Sequence, residues 1–176
     1  MLTGMERLPI VSVVTDMAGE ASDDAELAAL SRSVATQCMA VLDRFGVRYE
    51  RHVLSAFYSP DALRVYAEAA WERHVRDIIV LSPTGHLAGM LKAFGHRLAV
   101  IAVPLGRDTL ESVTALLSTV QMPKGAPVAV AGVNNGVNAA LLAVNALARS
   151  QPHLWAMLDA YHDEAARTVR GATIGS

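Results

Sequence analysis

The chain alternates short β-branched runs with longer stretches of helical periodicity, and that order constrains its fold more than any other feature. Ile10-Val-Ser-Val-Val14 is a continuous apolar run, which suits a strand buried on both faces. Leu27, Leu30, Val34, Cys38, Val41 and Phe45 then recur at three- and four-residue spacing. They mark one face of a long helix, with Gly46 at its stop. Tyr49 to Leu54 reads as the second strand. Ser59-Pro60-Asp61 supplies a cap, a first-turn proline and a first-turn carboxylate for a helix to about His74. The third strand is expected over Asp77 to Leu81, and a short helix from about Gly85 to Ala93. Leu98 to Val103 reads as the fourth strand, stopped by Pro104, and Thr109 to Leu117 as another short helix. Val128 to Val133 is expected to be the fifth strand, before Asn134-Asn-Gly136 turns the chain into a helix from about Val137 to Arg149. Leu154, Leu158, Tyr161 and Ala165 mark a last amphipathic helix beyond the sheet, and 171–176 reads as a loose tail. Strand–helix alternation of this kind predicts a parallel sheet with helices on both faces. The fold class is therefore a three-layer α/β sandwich, and residues 1–176 form a single domain.

Composition narrows the classes. With 52% hydrophobic and only 18% charged residues, the chain carries more apolar surface than a monomer hides easily. A homo-oligomer is expected, with the helix over 151–170 packing on a neighbouring subunit. A formal charge of -2 gives no electrostatic reason to expect nucleic acid or an anionic membrane as partner. No apolar run approaches a membrane span of about 20 residues. The first nine residues lack a basic start followed by an apolar signal core, so a cytoplasmic location is expected. Cys38 sits in the apolar helical pattern and reads as a buried structural thiol. His52, His74, His96, His153 and His162 show no metal-ligand spacing, so no metal is expected. No glycine-rich dinucleotide fingerprint or P-loop occurs.

The segment Ser118-Thr-Val-Gln-Met-Pro-Lys-Gly-Ala-Pro-Val-Ala-Val-Ala131 is too apolar for a surface linker, yet Pro123, Gly125 and Pro127 forbid a continuous helix. It reads as an ordered loop running into a buried strand. It resembles a loop of the PurE family, the enzymes that handle carboxyaminoimidazole ribonucleotide, whose pattern is Ser-x-Val-Gln-Met-Pro-x-Gly-x-Pro-Val. Ser55-Ala-Phe-Tyr-Ser-Pro60 is similar to that family's Ser-Ala-His-Arg-Thr-Pro. His86-Leu-Ala-Gly-Met90 is similar to its His-Leu-Pro-Gly-Met. The resemblance covers residues 10–160. It implies a flavodoxin-like fold, a homo-octamer, a small-molecule substrate and no metal or organic cofactor.

In parallel α/β sheets ligands gather at the carboxyl ends of the strands, where loops 15–24, 55–59 and 82–86 fall. In the first loop, Gly19-Glu-Ala-Ser-Asp23 resembles the family's Gly-Ser-x-Ser-Asp, and makes Ser22 and Asp23 candidates for substrate contact. Ser22 serves equally well as a helix cap, and Thr15-Asp16 competes for the same place. In the second loop Ser55 is retained, but Phe57 and Tyr58 stand where the family has its proton-moving His and phosphate-binding Arg. Phenylalanine exchanges no proton, and tyrosine brings no positive charge. Lys124 and Arg107 are the candidate replacements for that cation. In the third loop His86 matches the second family histidine and is the candidate acid or base. Ser82, Thr84, Gly85 and Leu87 surround it in sequence, and Met122 is expected to reach the same cleft. The resemblance thus implies an enzyme acting on the carboxylate of a heteroaromatic, aminoimidazole ribonucleotide-like substrate, by decarboxylation, carboxylation or carboxylate transfer outside the standard purine step. The loss of His and Arg at 57–58 also fits a ligand-binding or regulatory oligomer that has given up catalysis.

Overall fold

The computed structural model describes residues 10–17 and 24–174. The elements run β1 (Ile10–Asp16), α1 (Ala25–Arg44), β2 (Tyr49–Leu54), α2 (Pro60–Ala70), β3 (Val75–Ser82), α3 (His86–Phe94), β4 (Ala99–Pro104), α4 (Thr109–Val120), β5 (Ala129–Val130), α5 (Gly136–Ala148) and α6 (His153–Ile174). The strands form one sheet in the order β2-β1-β3-β4-β5, with every neighbouring pair parallel. Alternation along each strand sends side chains to two cores. Val11, Val13, Ile79, Leu81, Ile101 and Val103 meet α1, α5 and the start of α6 on one face. Val14, Ile78, Val80, Val100 and Ala102 meet α2 and α3 on the other. The three-layer sandwich with a parallel sheet is the observed fold.

Local chemistry explains the helix starts and the close contacts. Asp24 caps α1, its Oδ1 accepting from the Glu26 and Leu27 amides at 3.2 Å each. Val34, Cys38, Val41 and Phe45 are buried as the periodicity predicts, and burial pushes the Cys38 thiol up to about 12. Each fully buried aliphatic side chain of this stripe stabilises the fold by about 1.5–3 kcal/mol. Gly136 lets α5 pack tightly on α1, since a Cβ there would lie 2.3 Å from the Val34 carbonyl oxygen.

Three expectations need correction. The second helix stops at Ala70, because residues 71–74 turn and His74 adopts a φ of 66°. The fifth strand shrinks to Ala129–Val130. Beyond it Gly132 and Asn134 take positive φ values of 106° and 52°, though the Ala131 and Asn134 amides still reach the Ala102 and Pro104 carbonyls at 3.0 and 2.9 Å. The tail expected from Gly171 gives way to helix as far as Ile174. The first turns of α6 pack on their own chain: Leu154 and Leu158 are in its core and Tyr161 lies 5.9 Å from the Phe45 ring. Residues 162–170 of that helix are exposed. Among the described residues no helix is long and apolar enough to cross a membrane, and no group of three His, Cys, Asp or Glu could hold a metal ion.

Candidate active site

The parallel register brings the last residues of β1 and β3 side by side. Thr15 pairs with Leu81, so Asp16 and Ser82 are neighbours on the α2/α3 face, and both are buried. Ser82 Oγ donates to Asp16 Oδ2 at 2.7 Å and accepts the Thr84 amide at 3.2 Å. That folds the loop back at Pro83 and aims the chain into α3. The Gly85 amide donates to Ser118 Oγ at 2.9 Å, and a Cβ on Gly85 would lie 2.2 Å from the Ser118 carbonyl oxygen. Only glycine permits this approach of α4 to the start of α3. The Met122 thioether covers Gly85 and Gly89 from the same side.

His86 is the first residue of α3 and is exposed. In the adjoining loop Ser55 Oγ accepts the Phe57 and Tyr58 amides at 3.2 and 3.1 Å, a tight turn that leaves Phe57 69% and Tyr58 78% exposed. The Phe57 and His86 rings lie 5.1 Å apart at 60°. A cleft of about 310 Å³ runs beside His86, lined by Gly85, Gly89, Met90, Ser118, Gln121 and Met122. An imidazole open to the cleft, flanked by an aromatic face and thioethers, can exchange a proton with a bound ligand.

The sequence-predicted residues separate into groups. Ser55, Phe57, Ser82, Thr84, Gly85, His86 and Met122 fall on adjoining segments around the Phe57–His86 contact and the cleft. Ser22 and Asp23 lie outside the described residues. Leu87 is corrected: it is fully buried in the α2/α3 core and reaches no ligand. Gly85 contributes shape, because its amide is already committed to Ser118. The Ser55 oxygen is likewise the acceptor of its own turn. Arg107 is no free cation, since it pairs with Asp24 and Glu111. Asp16, which the sequence offered with Thr15 as a competitor for the first-loop position, lies at this edge, and Ser118 and Gln121 were missed as site residues. The signal for Asp16 was a carboxylate closing an otherwise apolar strand; Ser118 and Gln121 stood in the same loop pattern as Met122.

Sequence comparison decides the family. A sequence model of the AIR carboxylase family matches residues 9–168. The chain belongs to this family. It is 37% identical over 137 residues to the N5-carboxyaminoimidazole ribonucleotide mutase of Thermotoga maritima, covering 77% of this chain and 80% of that protein. The mutase of Mycobacterium tuberculosis is 39% identical over 137 residues, 77% of this chain and 78% of the other. The phosphoribosylaminoimidazole carboxylase of Schizosaccharomyces pombe is 43% identical over 124 residues, which span 70% of this chain but 22% of that longer protein. A crystal structure of Treponema denticola PurE superposes with a TM-score of 0.72 at 17% identity, covering 93% of this chain and 95% of that one. That likeness confirms the fold of this AIR carboxylase family member.

Proposed function

We propose that this chain works on a carboxylate attached to a heteroaromatic ring, by decarboxylation, carboxylation or carboxylate transfer, outside the standard purine step. The observation that carries this reading is the Phe57–His86 pair, an exposed imidazole 5.1 Å from an aromatic face at the mouth of a cleft. Phe57 offers a wall against which a planar ring can lie, with its carboxylate near His86. In the decarboxylating direction the bond from ring carbon to carboxylate breaks, its electron pair passes to the ring carbon, CO2 departs, and the imidazolium of His86 protonates that carbon. In the opposite direction the neutral imidazole removes the proton as CO2 adds. Desolvation of the carboxylate against Phe57, Met90 and Met122 favours loss of its charge. The scheme needs no metal or organic cofactor. The working form is a cytoplasmic homo-oligomer, with an octamer the state that light scattering should find.

The test is turnover of heteroaromatic carboxylates, read as CO2 release or as exchange of labelled bicarbonate, in wild type and His86→Ala. Turnover that disappears in the variant supports the reading. Mutase activity on N5-carboxyaminoimidazole ribonucleotide at roughly 1–1000 per second would refute a role outside the standard step. A second reading, a non-catalytic binding oligomer, is favoured by Phe57 and Tyr58 at the family's His and Arg positions. Ligand-induced thermal stabilisation without turnover in any of these assays would establish it instead.

A further inference from the structure

Among the described residues two carboxylates are buried, Asp16 and Asp77, and their surroundings differ. Asp16 accepts from Ser82 Oγ at 2.7 Å. Asp77, near the start of β3, is 3% exposed and has no hydrogen bond or ion pair among the described residues. Burial alone raises its carboxyl to about 6. At neutral pH it is therefore an anion in an apolar setting that nothing in its own chain answers. A charge so placed costs stability until a partner is supplied.

The place for that partner is open. Asp77 lies on the α1/α5 side of the sheet, as Ile79 and Leu81 do farther along the same strand. There it lines a pocket of about 270 Å³ between the beginnings of β4 and β5 and the last two turns of α5. Ile101 and Leu142 give the pocket an aliphatic wall. Asn145 Nδ2 donates to the Leu141 carbonyl at 2.9 Å, which leaves Oδ1 as a second acceptor in the lining. The carbonyl end of α5 also favours positive charge here. Arg149 is exposed on the same lining and is not paired with Asp77, whose carboxyl no cation holds down. Buried acceptors call for an ammonium group, the guanidinium for a carboxylate, and the aliphatic wall for an apolar body. Drug-sized ligands occupy about 300–1,000 Å³, so this pocket suits a smaller molecule.

We propose that this pocket is a second small-molecule site, which binds a zwitterion of amino-acid size with its ammonium on Asp77 and its carboxylate on Arg149. The site is separate from the His86 cleft and does not depend on the chemistry there. Asp77 and Ser82 stand toward opposite ends of β3, about 17 Å apart at the rise of an extended strand.

The experiment is calorimetric titration of the full-length, assembled protein with three probes of one carbon skeleton: leucine, 3-methylbutylamine and 4-methylpentanoate. Leucine is expected to bind with a Kd of about 1 mM or tighter, the amine more weakly, and the acid not measurably. Asp77→Asn should weaken leucine and the amine at least about tenfold, whereas Arg149→Ala should weaken leucine and leave the amine unchanged. Ala146→Phe, a change on the exposed side of α5 that fills the pocket, should abolish both without disturbing the fold, which circular dichroism checks. His86→Ala should bind leucine as the wild type does. The proposal is overturned if leucine gives no saturable binding, if 4-methylpentanoate binds as tightly as leucine, or if Asp77→Asn and Ala146→Phe both bind leucine like the wild type. Loss of leucine binding in His86→Ala would place it in the cleft instead, and would equally overturn the second site.

Discussion

Two polar regions of the sheet look alike in composition and differ in what is left over. On the β2–α2 flank the Tyr66 hydroxyl lies 2.5 Å from Ser12 Oγ and 3.0 Å from Glu50 Oε1, and Arg73 donates to the same carboxylate at 3.1 Å. Arg73 also sits over the Tyr66 ring, and His52 lies 4.7 Å from that ring and 3.3 Å from Glu50. Burial pushes the Tyr66 phenol well above its ordinary range. Burial also raises the Glu50 carboxyl, but hydrogen bonds from Arg73 and Tyr66 hold it below its usual value. Every group there answers another, so the cluster fastens an edge strand to its neighbours. At the carboxyl edge the Ser55, Ser82 and Ser118 hydroxyls are matched, but the buried Thr15 hydroxyl has no hydrogen-bond partner and His86 stands exposed beside an exposed Phe57. Reactivity is to be sought where internal satisfaction stops, and counting polar residues alone would not distinguish the two regions.

The sharpest way to break this contrast is to remove one member from each region. His86→Ala should lower turnover by about 10²–10⁴-fold with the melting temperature nearly unchanged; retained activity would remove the histidine from the chemistry. Gly85→Ala should damage fold and site together, because its Cβ meets the Ser118 backbone oxygen at 2.2 Å. A loss of about 3 kcal/mol in urea unfolding is expected, and an unchanged midpoint would contradict the tight approach. Asp77 sharpens the comparison from a third position, since it is 3% exposed and burial raises its carboxyl to about 6. A folded value above the unfolded one means stability falls as pH rises from about 4 through 6, with the full deficit above 6. Asp77→Asn should therefore stabilise by about 2–3 kcal/mol at pH 8 and by progressively less toward pH 4. A gain that does not depend on pH would show the charge to be irrelevant. Tyr66→Phe should cost about 1–2 kcal/mol while leaving turnover intact, and an activity loss comparable with that of His86→Ala would erase the distinction between the regions.

The element order was legible because periodicity is local: the α1 stripe and the apolar β3 and β4 runs each carry their own signal. The fifth strand is shorter than expected because the turn at Gly132 and Asn134 ends the pairing, whereas the valines at 128, 130 and 133 carry a strand signal across Gly132 in sequence. For the site, the 55–59 and 82–86 loops were legible from motif and position, while most of the first loop lies outside the described residues. Their internal bonds were not. The Gly85–Ser118 contact joins residues 33 apart in sequence, and the Ser82–Asp16 bond residues 66 apart, so neither has a local signature. Leu87 was misread for a related reason, since successive helix residues point about 100° apart and the residue after an exposed histidine turns into the core.

The depth of Cys38 has a practical consequence for solution work. It is the chain's single cysteine, wholly buried, and its thiol is held in the protonated, unreactive form across the physiological range. A new thiol placed at the exposed position 58 could therefore take a fluorophore or spin label with the native sequence otherwise untouched. Distances between such labels would then report how the subunits are arranged.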